Sequence, residues 1–155
     1  MDIYKLLKEL NISYEEVTHK AIFTVEEGKE IDRGIEGTSC KNLFLKTHKD
    51  EFFLVVLERD KEVSLNDLRK YLHVSNLHFA DEKYLNELLG VIKGSVTPLG
   101  IINDKDNKVT IVLDDYLIGK KLLFHPLVNT KTISIEYNDL IKFIEHLNHK
   151  YLILK

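Results

Sequence analysis

The sequence predicts a mixed α/β (α+β) fold, a largely antiparallel central sheet surrounded by helices. Two apolar runs, residues 40–46 (with Leu43, Phe44 and Leu45 consecutive) and residues 51–57, have the continuity of strands covered on both faces. Only Thr47-His48-Lys49-Asp50 separates them, a hairpin-sized connection that makes the pair antiparallel. Along the rest of the chain, helical and extended patterns are interspersed without the strict alternation of a doubly wound sheet. At 155 residues, 44% hydrophobic and 30% charged, the chain has the makings of one domain over residues 1–155 with a sizeable core. No internal repeat, linker or low-complexity tract interrupts it.

In chain order, Ile3, Leu6, Leu7 and Leu10 fall at helical spacing, with Asp2 as N-cap and Asn11 as the stop. Residues 13–18 alternate weakly and read as a short strand. Thr24-Val25-Glu26-Glu27 fits a capping box opening a helix to about Ile31, and Gly34 and Gly37 punctuate the approach to the central strand. Ser64-Leu65-Asn66-Asp67 opens a helix through about His73, with Leu65, Leu68 and Leu72 on one face. A short strand over 76–79 follows. Asp81 then caps a helix that turns Tyr84, Leu85, Leu88 and Leu89 inward and that Gly90 stops.

Gly94-Ser95-Val96-Thr97-Pro98-Leu99-Gly100 holds two glycines and a proline in seven residues, which marks a loop. Residues 101–103 and 108–113 read as strands joined across a turn at 104–107. Asp114-Asp115 and Gly119-Lys120-Lys121 are turns. Residues 121–125 form a strand ending in His125-Pro126, and 132–135 another. Asn138 or Asp139 caps a last helix through Leu147, and 151–154 is a terminal strand.

Composition narrows the function. No run approaches the roughly 18 apolar residues of a membrane span. The N-terminus lacks a basic segment followed by an apolar core, so a cytoplasmic protein without membrane contact is expected. A single cysteine forms no internal disulfide, and no Cys/His group has zinc-ligand spacing. A net charge of −3 argues against a basic coat for nucleic acid. It leaves room for a local contact if Arg33, Lys41, Lys46, Lys49, Lys93, Lys120 and Lys121 converge on one opening. There is no Gly-x-Ser-x-Gly elbow, Walker loop or dinucleotide fingerprint. Cys40 reads as a small buried residue rather than a nucleophile, and Asp114-Asp115 as a turn rather than a metal pair.

What remains is polar and rich in backbone donors. Lys41 and Asn42 sit where a buried strand begins. The 94–100 loop offers unpaired N–H groups that Pro98 stiffens, and His125 ends a strand. Taken singly, these residues read as a solvated lysine, a tight turn and a strand-end imidazole.

Together, Lys41-Asn42-Leu43-Phe44-Leu45-Lys46, Gly94-Ser95-Val96-Thr97-Pro98 and Phe124-His125-Pro126-Leu127-Val128-Asn129 resemble the YbaK/prolyl-tRNA-editing domain family in order and spacing. The likeness is strongest to its free-standing branch, which deacylates alanyl-tRNA(Pro), and runs from the first helix to about Leu147. Some relatives carry a histidine just before the central strand, where this chain has Thr38-Ser39-Cys40. The resemblance implies a YbaK-like editing domain that hydrolyses an aminoacyl-tRNA ester with no cofactor, metal or covalent intermediate. It implies Lys41, Asn42, Gly94, Ser95 and His125 as the catalytic set, with the Gly94 and Ser95 N–H groups on the ester carbonyl. Leu43, Leu45, Val96, Thr97, Pro98 and Asn129 would contact substrate, and Lys46, Lys120 and Lys121 would contact tRNA. The implied partners are the acceptor end of tRNA(Pro) and prolyl-tRNA synthetase. Two alternatives stay open: a deacylase for another small misacylated amino acid (Ser, Cys or Thr), and a non-catalytic tRNA- or synthetase-binding module of the same fold.

Overall fold

The two apolar runs become the central hairpin of the sheet. In the computed structural model, which describes residues 2–22 and 24–155, β2 (Thr38–Lys46) pairs antiparallel with β3 (Phe52–Glu58) from Cys40↔Glu58 to Lys46↔Phe52. Thr47 closes the turn: its Oγ1 accepts from the N–H groups of Lys49 and Glu51, while Asp50 takes the left-handed conformation. The remaining strands are β1 (Glu15–Thr18), β4 (His78–Phe79), β5 (Val109–Asp114), β6 (Lys121–Phe124), β7 (Lys131–Glu136) and β8 (Tyr151–Leu154). They lie in the order β1-β7-β6-β2-β3-β5-β8, with β4 on β2. Among the described residues, four of the seven pairings are antiparallel and three parallel (β2/β6, β3/β5, β5/β8). The mixed, largely antiparallel sheet expected from the sequence is therefore present.

β3 is buried on both faces because its alternate residues feed two separate cores. Phe52, Leu54 and Val56 join the larger core, with α1 (Ile3–Glu9) and α5 (Tyr137–His146) packed over it. Phe53, Val55 and Leu57 join a smaller one under α3 (Leu65–Leu72), where Leu68 is fully buried. Each such side chain contributes about 1.5–3 kcal/mol of transfer free energy.

Helix starts follow local chemistry. Asp2, Thr24 and Ser64 accept from the N–H groups of Tyr4, Glu27 and Asp67, opening α1, α2 (Val25–Asp32) and α3. The caps expected for α5 are corrected: Asn138 and Asp139 lie inside the helix, and Glu136 holds the cap position without a side-chain bond. β7 runs straight into this helix, and the N–H of Tyr137 donates to the Lys120 carbonyl (2.9 Å), so the neighbouring strand's entrance does the capping. Asp81 likewise makes no side-chain cap bond. α4 (Glu82–Tyr84) winds directly into a π-helical turn, Leu85–Leu89, which Gly90 stops at φ 65°.

A second correction concerns residues 98–103, expected as loop and strand but forming a 3₁₀ helix, Pro98–Asn103. Thr97 Oγ1 caps it on the Leu99 N–H, Pro98 supplies the first helical φ, and Asn103 Nδ2 donates to the Leu89 carbonyl (3.0 Å). An extended segment there would have no neighbouring strand to pair with, whereas the 3₁₀ turn satisfies its polar groups locally. Among the described residues, no helix is long and apolar enough to cross a membrane.

Candidate active site

The site lies where two strands part. β2 pairs with β6 only at Thr38↔Leu122 and Ser39↔Leu123, and with β4 only at Leu45↔Phe79 and Lys46↔His78. Gly37 allows the close approach at the base of the fork: at φ 152°, a Cβ there would meet Leu123 Cδ2 at 2.7 Å. Above Ser39 the strands diverge and a cavity of about 470 Å³ opens between them. Cys40, Lys41 and Asn42 line it from β2, Phe124 from the end of β6, His125 from the residue just after it, and Gly94 from the glycine loop. The structure thus brings together Lys41, Asn42, Gly94 and His125 from three separate segments.

Charge in the cavity is unevenly paired. Asp32 accepts from Arg59 Nη1 (2.9 Å) and from Ser39 Oγ, so Arg59 is neutralised. Among the described residues, no carboxylate lies within ion-pair distance of Lys41. Asn42 Oδ1 is buried and has no hydrogen-bond partner there. His125 Nδ1 donates to the Lys131 carbonyl (2.9 Å), which leaves Nε2 as an acceptor. Burial holds the His125 pKa below the ordinary histidine value, and the neighbouring His19 ring, 6.2 Å away, pushes the same way against the Lys131 bond. The imidazole is therefore neutral at physiological pH. Burial also pushes the Cys40 thiol up to about 12, which removes it as a nucleophile, and the side chain, partly rather than fully buried, packs on the larger core at the cavity's edge.

The glycine loop divides its duties. Gly94 sits at φ 92°, a conformation that favours glycine, and its N–H has no acceptor among the described residues. The Ser95 N–H, expected on the ester carbonyl, donates instead to the Ile92 carbonyl (3.0 Å) and is spent inside the turn. Ser95 Oγ is buried without a partner among the described residues, and Ser95 lines a second cavity, as does Asn129, whose Nδ2 donates to the Ile22 carbonyl (2.7 Å).

The other expected contacts are dispersed. Leu43 and Leu45 face the α3 core, Val96 packs on the larger core, and Thr97 and Pro98 are buried at the 3₁₀ start. None of these five lines either cavity; Ile22, Leu123 and Phe124 provide the apolar walls of the fork. Lys46 lies five residues up β2 from Lys41, about 17 Å at strand rise, paired with Asp50 (2.8 Å). Lys120 stands over the Tyr116 ring (4.1 Å) and Lys121 begins β6, both near the closed end of the fork. Sequence reasoning missed Asp32, Arg59, His19 and Thr132, the last accepting or donating a 2.9 Å bond with His19 Nε2. No motif or periodicity links these residues, so nothing local could have signalled them.

Residues 19–143 match the family model described as the aminoacyl-tRNA editing domain. The chain belongs to this family. Among relatives of this editing domain, prolyl-tRNA synthetase associated domain-containing protein 1 of Danio rerio is 37% identical over 156 residues, covering 99% of this chain and 85% of that protein. The prolyl-tRNA editing protein ProX of Acetoanaerobium sticklandii is 35% identical over 141 residues, covering 90% and 86%. A solved structure described as a candidate trans-editing enzyme for prolyl tRNA synthetase aligns with TM-score 0.72 at 17% identity, covering 99% of this chain and 94% of that one. At that identity the likeness is one of fold, and the editing domain shares it along nearly its whole length.

Proposed function

We propose that residues 1–155 act as one editing domain, a trans-editing deacylase that hydrolyses the ester of mischarged alanyl-tRNA(Pro). The observation that carries this reading is the meeting of Lys41, Asn42, Gly94 and His125 at one cavity. Family membership supports ester hydrolysis on tRNA. The names of the relatives support tRNA(Pro) and prolyl-tRNA synthetase as partners; engagement of the acceptor end, where the ester lies, and a cytoplasmic location belong to the same proposal.

An aminoacyl ester is already activated, so the protein's work is orientation and stabilisation of the developing oxyanion. Water adds to the ester carbonyl. The tetrahedral oxyanion then collapses, the ribose oxygen leaves and takes up a proton, and free amino acid and tRNA result. The Gly94 N–H faces the oxyanion, and Lys41 supplies positive charge to the terminal phosphate and the reacting ester. Asn42, with its unpartnered oxygen, holds a ribose hydroxyl. Neutral His125 orders the attacking water through Nε2, and the vicinal ribose hydroxyl assists its deprotonation. Ile22, Leu123 and Phe124 form the sieve that admits alanine and excludes bulkier proline, a rejection that steric exclusion achieves readily.

The test is a panel of tRNAs charged with Ala, Ser, Cys, Thr or Pro, assayed for deacylation by the purified protein. Alanyl-tRNA(Pro) should be released fastest and prolyl-tRNA(Pro) hardly at all. A preference for Ser, Cys or Thr would redirect the substrate. Binding of the panel without turnover would make the chain a recognition module.

A further inference from the structure

Beside the fork lies a second cavity of about 650 Å³ that the hydrolysis itself does not use. Gly94 and Ile22 line both cavities, so the two adjoin at the loop assigned to the ester. The second is walled by Val91, Ile92 and Leu127, and Ile92 (71% exposed) and Val128 (43%) stand at its mouth as apolar jaws. Large apolar side chains this exposed, facing one slot, suit a flat aromatic ligand.

Lys93, Ser95, Asn129 and Thr130 interrupt the apolar lining, and two of them, Asn129 and Ser95, carry buried polar atoms without a partner among the described residues. The bond from Asn129 Nδ2 to the Ile22 carbonyl fixes the amide's orientation, leaving Oδ1 as a buried acceptor and one Nδ2 hydrogen without a partner among the described residues. Ser95 Oγ is buried and equally unpartnered. Leu127, at φ 69°, turns the chain sharply between His125 and Asn129, so that one serves the fork and the other the slot. A bulky residue held in the left-handed region is the kind of strain that persists at functional sites.

An acceptor beside a donor on one amide edge complements adenine, whose N6 amino group donates next to the N7 acceptor. Hypoxanthine and guanine carry a 6-oxo acceptor in that place and would set oxygen against oxygen. We propose that this cavity holds the terminal adenine of the tRNA acceptor end, stacked between the apolar jaws and read by Asn129 at its N6/N7 edge. Ser95 Oγ donates to a remaining ring nitrogen. The assignment rests on the deacylase reading for its ligand, and it places the ribose at Gly94, between the base and the Lys41 cavity.

The test is direct binding of AMP, IMP and CMP to the intact protein, followed by amide chemical shifts at millimolar nucleotide. AMP should perturb Val91, Ile92 and Asn129 and bind about tenfold or more tighter than IMP, the discrimination expected of one bidentate pair. Asn129→Leu should erase the AMP/IMP ratio. Ser95→Ala, which breaks no side-chain bond among the described residues, should weaken AMP without collapsing the fold. Equal binding of AMP and IMP, shifts confined to the Lys41 and His125 cavity, or no binding at millimolar AMP would each overturn the assignment. Selective AMP binding with no deacylation of any charged tRNA would sink the hydrolase reading and leave the base slot standing. Deacylation without adenine selectivity would do the reverse.

Discussion

Lys41 is the cavity's cation without a counter-ion among the described residues, while Arg59 beside it is held by Asp32. Replacing Lys41 by alanine should lower deacylation by roughly 100-fold or more, the scale of losing one preorganised electrostatic group. The midpoint of thermal unfolding should barely move, because Lys41, the fourth residue of β2, is only partly buried and belongs to neither hydrophobic core. Wild-type turnover by this variant would remove Lys41 from the site. Cys40 predicts the opposite. With its thiol pushed up to about 12, it should resist alkylation at neutral pH in the folded protein, and Cys40→Ser should retain activity. His125 predicts a pH effect. Its folded-state pKa lies below the ordinary histidine value of about 6.5, so below that pH the unfolded chain takes up protons more readily than the folded one. Stability should therefore fall as pH drops from about 6.5 toward the lowered folded-state value, and His125→Asn should flatten the trend in urea melts.

At the scale of elements, the fork depends on close approaches that a side chain would spoil. A Cβ on Gly100 would sit 2.9 Å from Leu89 Cβ and 3.0 Å from the Leu89 carbonyl oxygen. Gly100→Ala should push the 3₁₀ segment off the π-helical turn and cost about 1–3 kcal/mol, as overpacking does. Because Gly94 lies six residues upstream on the same stretch, deacylation should fall along with stability. Denaturant midpoints and single-turnover rates on one sample would show both effects; an unchanged midpoint would mean the two turns are not packed as described. At the other end of the sheet, the His149–Asp104 pair (2.9 Å, both side chains 1% exposed) ties the entrance of β8 to the turn before β5. Asp104 also accepts from the Lys108 and Val109 N–H groups, so its carboxylate stays well supplied, and its pKa is held down by these bonds against the opposing effect of burial.

For the molecule as a whole, a net charge of −3 predicts weak tRNA binding that declines as salt rises. Lys120→Ala and Lys121→Ala should lower affinity and flatten the salt slope by somewhat under one unit for each phosphate no longer neutralised. Lys46→Ala should do neither, since Lys46 is engaged with Asp50 far from the fork. Titrations at two ionic strengths distinguish the cases, and equal effects from all three variants would mean that tRNA runs the full length of β2. Size selection also belongs to the whole fold, because its wall is built from several elements. Ile22→Ala should speed release of proline relative to alanine, while Val96→Ala, packed on the core, should not change the ratio.

Hydrophobic alternation, caps and turn residues act over a few residues, so most strands, the 47–50 turn and the starts of α1, α2 and α3 are legible in the sequence. The three motifs likewise carry the family. The 3₁₀ segment over Pro98–Asn103 is not legible, because Ile101 and Ile102 look like strand residues until the absence of a pairing partner is known. The missing cap on α5 is decided by the Lys120 carbonyl, which meets Tyr137 only once β6 and β7 pair. The same holds for the site. Lys41, Asn42, Gly94 and His125 are picked out only by the three family motifs taken together, since each alone reads as an ordinary surface or turn residue, and Asp32 and Arg59, or Asn129 and Ile22, meet only through folding. Which lysine stays unpaired and which walls face the cavity are long-range outcomes of how β2 and β6 part above Ser39, and no local pattern encodes that divergence.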